Sequence, residues 1–321
     1  MREQKAPLIQ TVGLKKYFHT SRGMLHAVDG IDLSIAEGET LGVVGESGCG
    51  KSTLGRTILR LLPITSGDVL YEGKSIVGLR ASEMRKMRSK MQIIFQDPYS
   101  SLDPRMMVSE LIAEYMIVNR VYRTRAEIQA ATAKLMDVVG LASRLATAYP
   151  HELDGGRRQR IGVARALSLN PKFIVCDEPV SALDVSIQAQ ILNLLIDIQK
   201  ERGLAYLFIT HNLSVVKHIS NHIAVMYLGK CVEIAPSEEL FRSPLHPYTK
   251  ALMDAIPLPD IKMRSRDIPT LSGEVSNPIE PKPGCRFAAR CPFCTEECKK
   301  QDPVFHDVGN GHYVACRLVE S

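Results

Sequence analysis

Gly45-Glu46-Ser47-Gly48-Cys49-Gly50-Lys51-Ser52 stands directly after the apolar run Thr40–Val44 and ahead of a stretch with helical character. A strand, a glycine-rich loop, Lys-Ser and a helix in that order make the pattern of a phosphate-binding loop. Glycines let backbone N–H groups turn inward around phosphate oxygens, and the helix that follows offers its positive end. Lys51 is placed to neutralise β and γ oxygens, and Ser52 to ligate Mg²⁺. Residues 45–52 and the adjoining Thr53 are therefore the expected nucleotide contacts. A chance glycine-rich turn is the plainer alternative, but every fixed position of the pattern matches in the required setting.

Downstream, the apolar run Phe173–Cys176 delivers two carboxylates, Asp177 and Glu178, at the end of a second buried strand. Ligand sites of α/β sheets lie at such strand ends. Asp177 is placed to hold Mg²⁺ through water, and Glu178 to polarise a water that attacks a γ-phosphate. The alternative is that Glu178 only begins a turn before Pro179. A kinase would need an acceptor site, and no residues suggest one. Ala205–Thr210 reads as a third strand, and alternating strands and helices specify α/β class with a parallel sheet wrapped by helices. The intervening helix is periodic, with Ile187, Ile191, Leu194, Leu195 and Ile198 on one face and Gly203 past its end. From Asp97 to Leu169 the strand signal vanishes. Helical stretches such as Arg125–Val139, with Ile128, Ala131, Leu135 and Val138 in register, imply an inserted helical subdomain at about 97–169.

The chain has 321 residues, which favours about two domains over one. Hydrophobic residues at 45% and charged residues at 23% exclude intrinsic disorder and fibrous architecture. A net charge of +5 falls short of the concentrated positive field of a dedicated nucleic-acid binder. Nothing approaches the ~18 apolar residues of a membrane span, and Met-Arg-Glu-Gln-Lys-Ala-Pro leads into no apolar signal region. A cytoplasmic chain with reduced, metal-bound or buried cysteines is expected. Prolines crowd in from Pro236 onward, Pro257, Pro259 and Pro269 among them, and mark a loop-rich appendage. The expected division is 1–235 and 236–321. The basic run Arg85, Lys86, Arg88 and Lys90 reads as a solvated helix face.

With these motifs in place the chain resembles the ATP-binding subunits of ABC transporters. The resemblance implies a RecA-like P-loop core with an antiparallel N-terminal β subdomain. Gln96, in Ile93-Ile94-Phe95-Gln96-Asp97-Pro98, looks like the family's Q-loop glutamine, which senses Mg²⁺ and the attacking water. Ser181-Ala182-Leu183-Asp184 looks like its D-loop, and His211, in Ile209-Thr210-His211-Asn212, like its switch histidine, which hydrogen-bonds the γ-phosphate. Glu178, His211 and Gln96 are thus the implied catalytic set, with Ser52, Gln96 and Asp177 around Mg²⁺. Tyr17 is positioned like the adenine-stacking aromatic, unless Phe18 stacks and Tyr17 belongs to the core.

The family's Leu-Ser-Gly-Gly-Gln motif appears altered as Leu153-Asp154-Gly155-Gly156-Arg157. In the family two ATPase subunits pair head to tail, and this motif closes over the partner's ATP. A carboxylate ~4 Å from a γ-phosphate meets a repulsion of about 4 kcal/mol at an effective dielectric near 20. Asp154 is therefore expected to cap its own helix, while Arg157 turns compensating charge toward phosphate. The composite site shared with the partner then works slowly or not at all.

Ser243-Pro244-Leu245-His246-Pro247-Tyr248-Thr249-Lys250 and the cysteine-rich end resemble the C-terminal extension of oligopeptide and dipeptide importer ATPases. Gln92–Tyr99 with Ser101-Leu102-Asp103-Pro104-Arg105 is closer to the F-type subunit. Such a subunit works as a heterodimer with a second ABC ATPase, on the cytoplasmic face of the membrane. It serves two transmembrane permease subunits that an extracytoplasmic solute-binding protein supplies, and nucleic acid is not an expected partner. A soluble ABC ATPase acting on nucleic acid or ribosomes is the alternative. Cys285, Cys291, Cys298 and Cys316 are separated by five, six and seventeen residues, and thiolates gathered so suit an iron–sulfur cluster or tetrahedral zinc. The resemblance implies a [4Fe-4S] site on those four. Zinc, to which Cys291-x-x-Cys294 lends itself, and unliganded thiols are the alternatives. Arg286 and Arg290 tune cluster charge or face solvent.

Overall fold

A computed structural model describes residues 7–255 and 278–319. Of the prolines in the expected loop-rich appendage, Pro257, Pro259 and Pro269 lie outside the described residues. The chain divides into two compact units. One holds Met1–Leu8, Ile35–Glu39 and Gly78–Phe208, and the other Ile9–Ser34, Thr40–Val77 and Ile209–Ser321.

In the second unit, Thr40–Val44 is a strand with all five residues buried, as its unbroken apolar character requires. It runs parallel to His222–Tyr227, which pairs antiparallel with Lys230–Pro236. Tyr313–Val314 and then His306–Asp307 extend that sheet outward. A separate antiparallel sheet has the order Gly23–Ala36, Pro7–Thr20, Ser66–Tyr71, Lys74–Ser75, which is the expected N-terminal β subdomain.

The residues after Pro236 begin with two short helices, Ser237–Arg242 and Pro247–Asp254, and several of their apolar side chains enter the core. Leu240, Tyr248 and Phe287 join Val44, Ile223, Val225 and Tyr227 in one buried cluster, against which Cys285 and Cys291 pack. The Tyr227 ring lies 4.6 Å from Tyr248 and 5.3 Å from Phe287, the latter edge-on, geometries that aromatic quadrupoles favour. Buried Glu233 accepts from the N–H groups of Leu245 and His246 and lies 2.8 Å from His312 Nε2. A carboxylate without solvent is tolerable only with such partners.

In the first unit, Met91–Ile94 and Phe173–Asp177 pair in parallel, with Ala205–Ile209 beside the latter. Between residues 97 and 169 the described residues form helices and no strand, chiefly Val108–Val118, Arg125–Val138 and Gly155–Leu167. The start of Arg125–Val138 is set by a capping box: Thr124 Oγ1 accepts from Glu127 N, and Glu127 Oε2 accepts from Thr124 N. Helix Val185–Arg202 buries Ile191, Leu195 and Ile198 as the periodicity predicts, and Leu192 in addition. Ile187 and Leu194 are only half-buried. Gly203 ends this helix at φ 65°, a left-handed conformation that suits glycine. The basic stretch lies on helix Ala81–Lys90, where Met84 alone is buried.

His246 starts helix Pro247–Asp254, and its Nδ1 accepts from Tyr248 N at 3.1 Å. Burial depresses its pKa to about 4, so the ring is neutral, as an acceptor must be. Between that value and the ordinary 6.5 the unfolded chain binds the extra proton, so stability falls on acidification. The expected slope for this one group is at most about 1.4 kcal/mol per pH unit. It vanishes in His246→Asn, as read by urea unfolding of both chains from pH 7 to pH 4.

Candidate nucleotide site

The phosphate loop joins strand Thr40–Val44 to helix Lys51–Ile58. Gly45, Gly48 and Gly50 all have positive φ, at 152°, 78° and 105°. Space as well as conformation excludes side chains: a Cβ at Gly45 would lie 2.1 Å from Met226 O, and one at Gly50 2.0 Å from Ala27 O. Lys51 is 5% exposed, and its ammonium donates to the carbonyls of Gly45 at 2.7 Å and Glu46 at 2.9 Å. A cation is thereby kept at the centre of the loop. Ser52 and Thr53 follow on the first helical turn, both half-buried, and Ser47 is exposed. Cys49 is buried, and burial pushes its thiol up, which suits packing more than reactivity.

Two further predicted residues belong to this unit. His211 is exposed, one residue before Asn212, whose Oδ1 caps helix Leu213–Ile219 by accepting from Ser214 N. The Tyr17 ring stacks on His26 with centroids 3.9 Å apart, and its hydroxyl donates to Asp29 Oδ1 at 2.5 Å. Burial and that bond raise the Tyr17 hydroxyl pKa above its ordinary value. Burial alone would raise the Asp29 carboxyl, but the Tyr17 hydroxyl, Lys230 and Arg286 hold it below the ordinary value. Phe18 instead receives the Lys16 ammonium over its ring at 4.6 Å.

In the first unit, all of Phe173–Asp177 is buried and Asp177 is 0% exposed. Glu178 then takes φ 47°. Left-handed backbone is costly for a residue with a Cβ, and it commonly marks functional turns. Its carbonyl accepts from Ser181 Oγ, and its carboxylate accepts from Gln96 Nε2 at 3.0 Å. Gln96 and Glu178, 82 positions apart, are thus brought together. Asp154 is the N-cap of helix Gly155–Leu167: Oδ1 accepts from Arg157 N at 2.8 Å, and Oδ2 lies 3.3 Å from Arg157 Nη1. Capping was the expected role of Asp154. Arg157, however, compensates Asp154 itself. A Cβ at Gly156 would approach Ile187 Cγ2 to 2.7 Å, which ties the start of this helix closely to Val185–Arg202.

Of the five terminal cysteines, Cys285, Cys291, Cys298 and Cys316 line one cavity of about 230 Å³, together with His246, Phe287 and Phe293. Cys294 does not line it, and its thiol turns to the Thr295 carbonyl. All the cysteines are free of disulfides. Burial raises the Cys285 thiol to about 11, so the protein environment alone does not favour thiolate there. Among the described residues no group of three or more His, Cys, Asp or Glu is arranged to hold a metal ion. The cysteine arrangement therefore supports neither the expected [4Fe-4S] cluster nor the zinc alternative.

No local pattern of residues marks the partners of two tail arginines. Arg286 and Arg290 neither face solvent nor line the cysteine cavity. Their side chains are 9% and 6% exposed, and they pair with Asp29 and with Glu46 of the phosphate loop. Only a fold could join acids and bases more than 200 positions apart.

Comparison with known proteins gives the family. The ABC transporter family model matches residues 28–181, and the oligopeptide/dipeptide transporter C-terminal region model matches 232–298. The chain is 50% identical over 317 residues to the putative oligopeptide transport ATP-binding protein YkfD of Bacillus subtilis, covering 98% of this chain and 96% of that one. It is 48% identical to the oligopeptide transport ATP-binding protein OppF of Salmonella typhimurium, covering 99% and 98%. Among solved structures, a dimeric bacterial ABC transporter cassette aligns with a TM-score of 0.66 at 28% identity, over 71% of this chain and 98% of that one. A glycine cradle around a buried lysine, a paired Gln96 and Glu178, and relatives matched nearly end to end lead to one assignment: the chain belongs to the ABC ATPases of the oligopeptide/dipeptide transporter family, as an ATP-hydrolysing subunit of peptide transport.

Proposed function

We propose that this chain is the F-type subunit of an ATPase heterodimer that drives import of di- and oligopeptides. It acts from the cytoplasmic face of the membrane, on two permease subunits supplied by a solute-binding protein. The observation that carries the reading is the phosphate loop, where three positive-φ glycines, Gly45 and Gly50 of them packed against backbone, accompany the buried Lys51. Among the described residues no helix is long and apolar enough to cross a membrane, which fits a subunit that borrows its membrane path from others. The relatives matched are named for oligopeptide transport, so action on nucleic acid or ribosomes is not favoured.

In this reading the loop amides and Lys51 hold the β- and γ-phosphates, with Tyr17 against the adenine. Ser52, Gln96 and Asp177 would hold Mg²⁺, which supplies neutralisation of charge developing on the phosphate oxygens. Glu178 takes a proton from the attacking water as the bond from oxygen to the γ-phosphorus forms and the bond to ADP breaks. Gln96, hydrogen-bonded to that carboxylate, orients it, and His211 hydrogen-bonds the γ-phosphate. ATP binding closes the dimer and hydrolysis reopens it, a motion passed to the permeases through the helical subdomain. The domains responsible are 1–235 and 236–321. Because Asp154 spends its carboxylate on its own helix, the composite site that it completes in the partner is slow. The proposal extends to a [4Fe-4S] cluster on Cys285, Cys291, Cys298 and Cys316, which line one cavity that Cys294 does not.

Three outcomes check these assignments. In the assembled transporter, Glu178→Gln is expected to lower kcat by about 100-fold or more while ATP still binds, whereas Lys51→Ala loses binding. Asp154→Ser with Arg157→Gln is expected to raise ATP turnover, at most to about double, since one of two composite sites is relieved; unchanged turnover would contradict an impaired site. Anaerobically purified chain should be brown, with matching iron and acid-labile sulfide that Cys298→Ser removes and Cys294→Ser does not. Colourless chain carrying one zinc would refute the cluster.

A further inference from the structure

The phosphate loop is held from outside by residues more than 200 positions further along the chain. Glu46, its second residue, is fixed at two points. Its N–H donates to Tyr248 Oη at 2.9 Å, and its carboxylate accepts from Arg290 Nη1 at 2.9 and 3.1 Å. Arg290 is anchored in turn: its Nη1 also reaches Tyr227 Oη at 3.3 Å, and its side chain is 6% exposed. Hydrogen bonding to Glu46 is the main influence that pushes the Arg290 guanidinium pKa above its ordinary value. Tyr248 is fully buried between Tyr227 and Phe287, so its hydroxyl has a fixed position.

Glu46 is an awkward residue for a phosphate loop. Its own carbonyl touches the Lys51 ammonium, so its carboxylate belongs to the loop that has to receive a polyanion. Unpaired, that carboxylate would offset the charge of Lys51 and repel a triphosphate. Paired with a buried guanidinium, it is neutralised and immobilised together. A parallel tie exists nearby, where Arg286 Nη2 donates to Asp29 Oδ2 at 2.7 Å and Asp29 holds the Tyr17 hydroxyl. Arg286 follows Cys285, and Arg290 precedes Cys291.

We infer that Arg290 is a positioning residue for nucleotide: acting through Glu46, it sets the charge and shape of the phosphate loop, so that ATP affinity depends on the cysteine-bearing tail. The inference rests on the reading of residues 45–52 as the triphosphate site. It places no atom of Arg290 on the nucleotide.

The test is equilibrium binding of ATP to the full chain, with the KM and kcat of its ATPase, in Arg290→Ala, Arg290→Lys, Glu46→Gln and Glu46→Gln/Arg290→Ala. Arg290→Ala is expected to weaken ATP binding by about 10-fold, the scale of a lost charge-assisted hydrogen bond. KM should rise more than kcat falls. Arg290→Lys keeps the charge and recovers part of the affinity. The double variant recovers most of it, because the exposed carboxylate is gone; a merely structural role would leave the double variant as weak as the single one. Thermal unfolding identifies any variant that fails to fold. Should Arg290→Ala fail to fold, Arg290→Lys decides: weaker ATP binding than in the unaltered chain supports the inference, and equal binding overturns it. The inference is overturned if Lys51→Ala loses ATP while folded Arg290→Ala, or Arg290→Lys in its place, binds it as tightly as the unaltered chain. If Lys51→Ala itself still binds ATP normally, the triphosphate site is elsewhere and both readings fall.

Discussion

A carbonyl oxygen presses on each end of the phosphate loop, Met226 O beside Gly45 and Ala27 O beside Gly50, closer than any Cβ can come. Those two approaches are the constraint on which the rest of the second unit depends. They bring strand His222–Tyr227 and strand Gly23–Ala36 up against the loop, so its curvature is imposed by packed backbone. The loop's own sequence would not rigidify it, because glycines lose the most conformational freedom on ordering. The surroundings supply that order, and the buried Lys51 is satisfied by carbonyls of the loop itself.

The first unit reaches the same end by a different device. There, one strained residue, Glu178, ends a fully buried strand and turns its carboxylate to Gln96. Strain of this kind persists only when neighbours over-determine it. Ser181 does so by bonding the Glu178 carbonyl, and buried Pro179 removes a donor that would otherwise need a partner. Asp154 shows a carboxylate used for the opposite purpose, stabilising a helix start by satisfying a backbone N–H.

Much of this was legible in the residues because the signals are local. The loop pattern, the run Phe173–Asp177, the cap at Asp154 and the glycine that stops Val185–Arg202 all act within a few positions of themselves. The irregular tail was legible as proline-rich, but not as a contributor to the core, since Tyr248 and Phe287 reveal their burial only through Tyr227. Arg286 and Arg290 were misjudged for the same reason: a guanidinium beside cysteines looks like a neighbour of the cysteines until the fold brings Asp29 and Glu46 to it. Cys294, set apart from the other four on resemblance and not on any property of spacing, is the one of the five that does not line their cavity.

Tyr248 and Glu46 are 202 positions apart, and Arg290 and Glu46 are 244 apart. Contacts so distant along the chain are slow to form, because loop-closure entropy precedes the reward. On the ribosome, the phosphate loop emerges more than 200 residues before its two clamps. A nascent chain therefore carries the Glu46 carboxylate without its guanidinium until Arg290 has been made. Synthesis past Arg290 becomes the event that matures the loop, and a product terminated before it lacks the means to finish it.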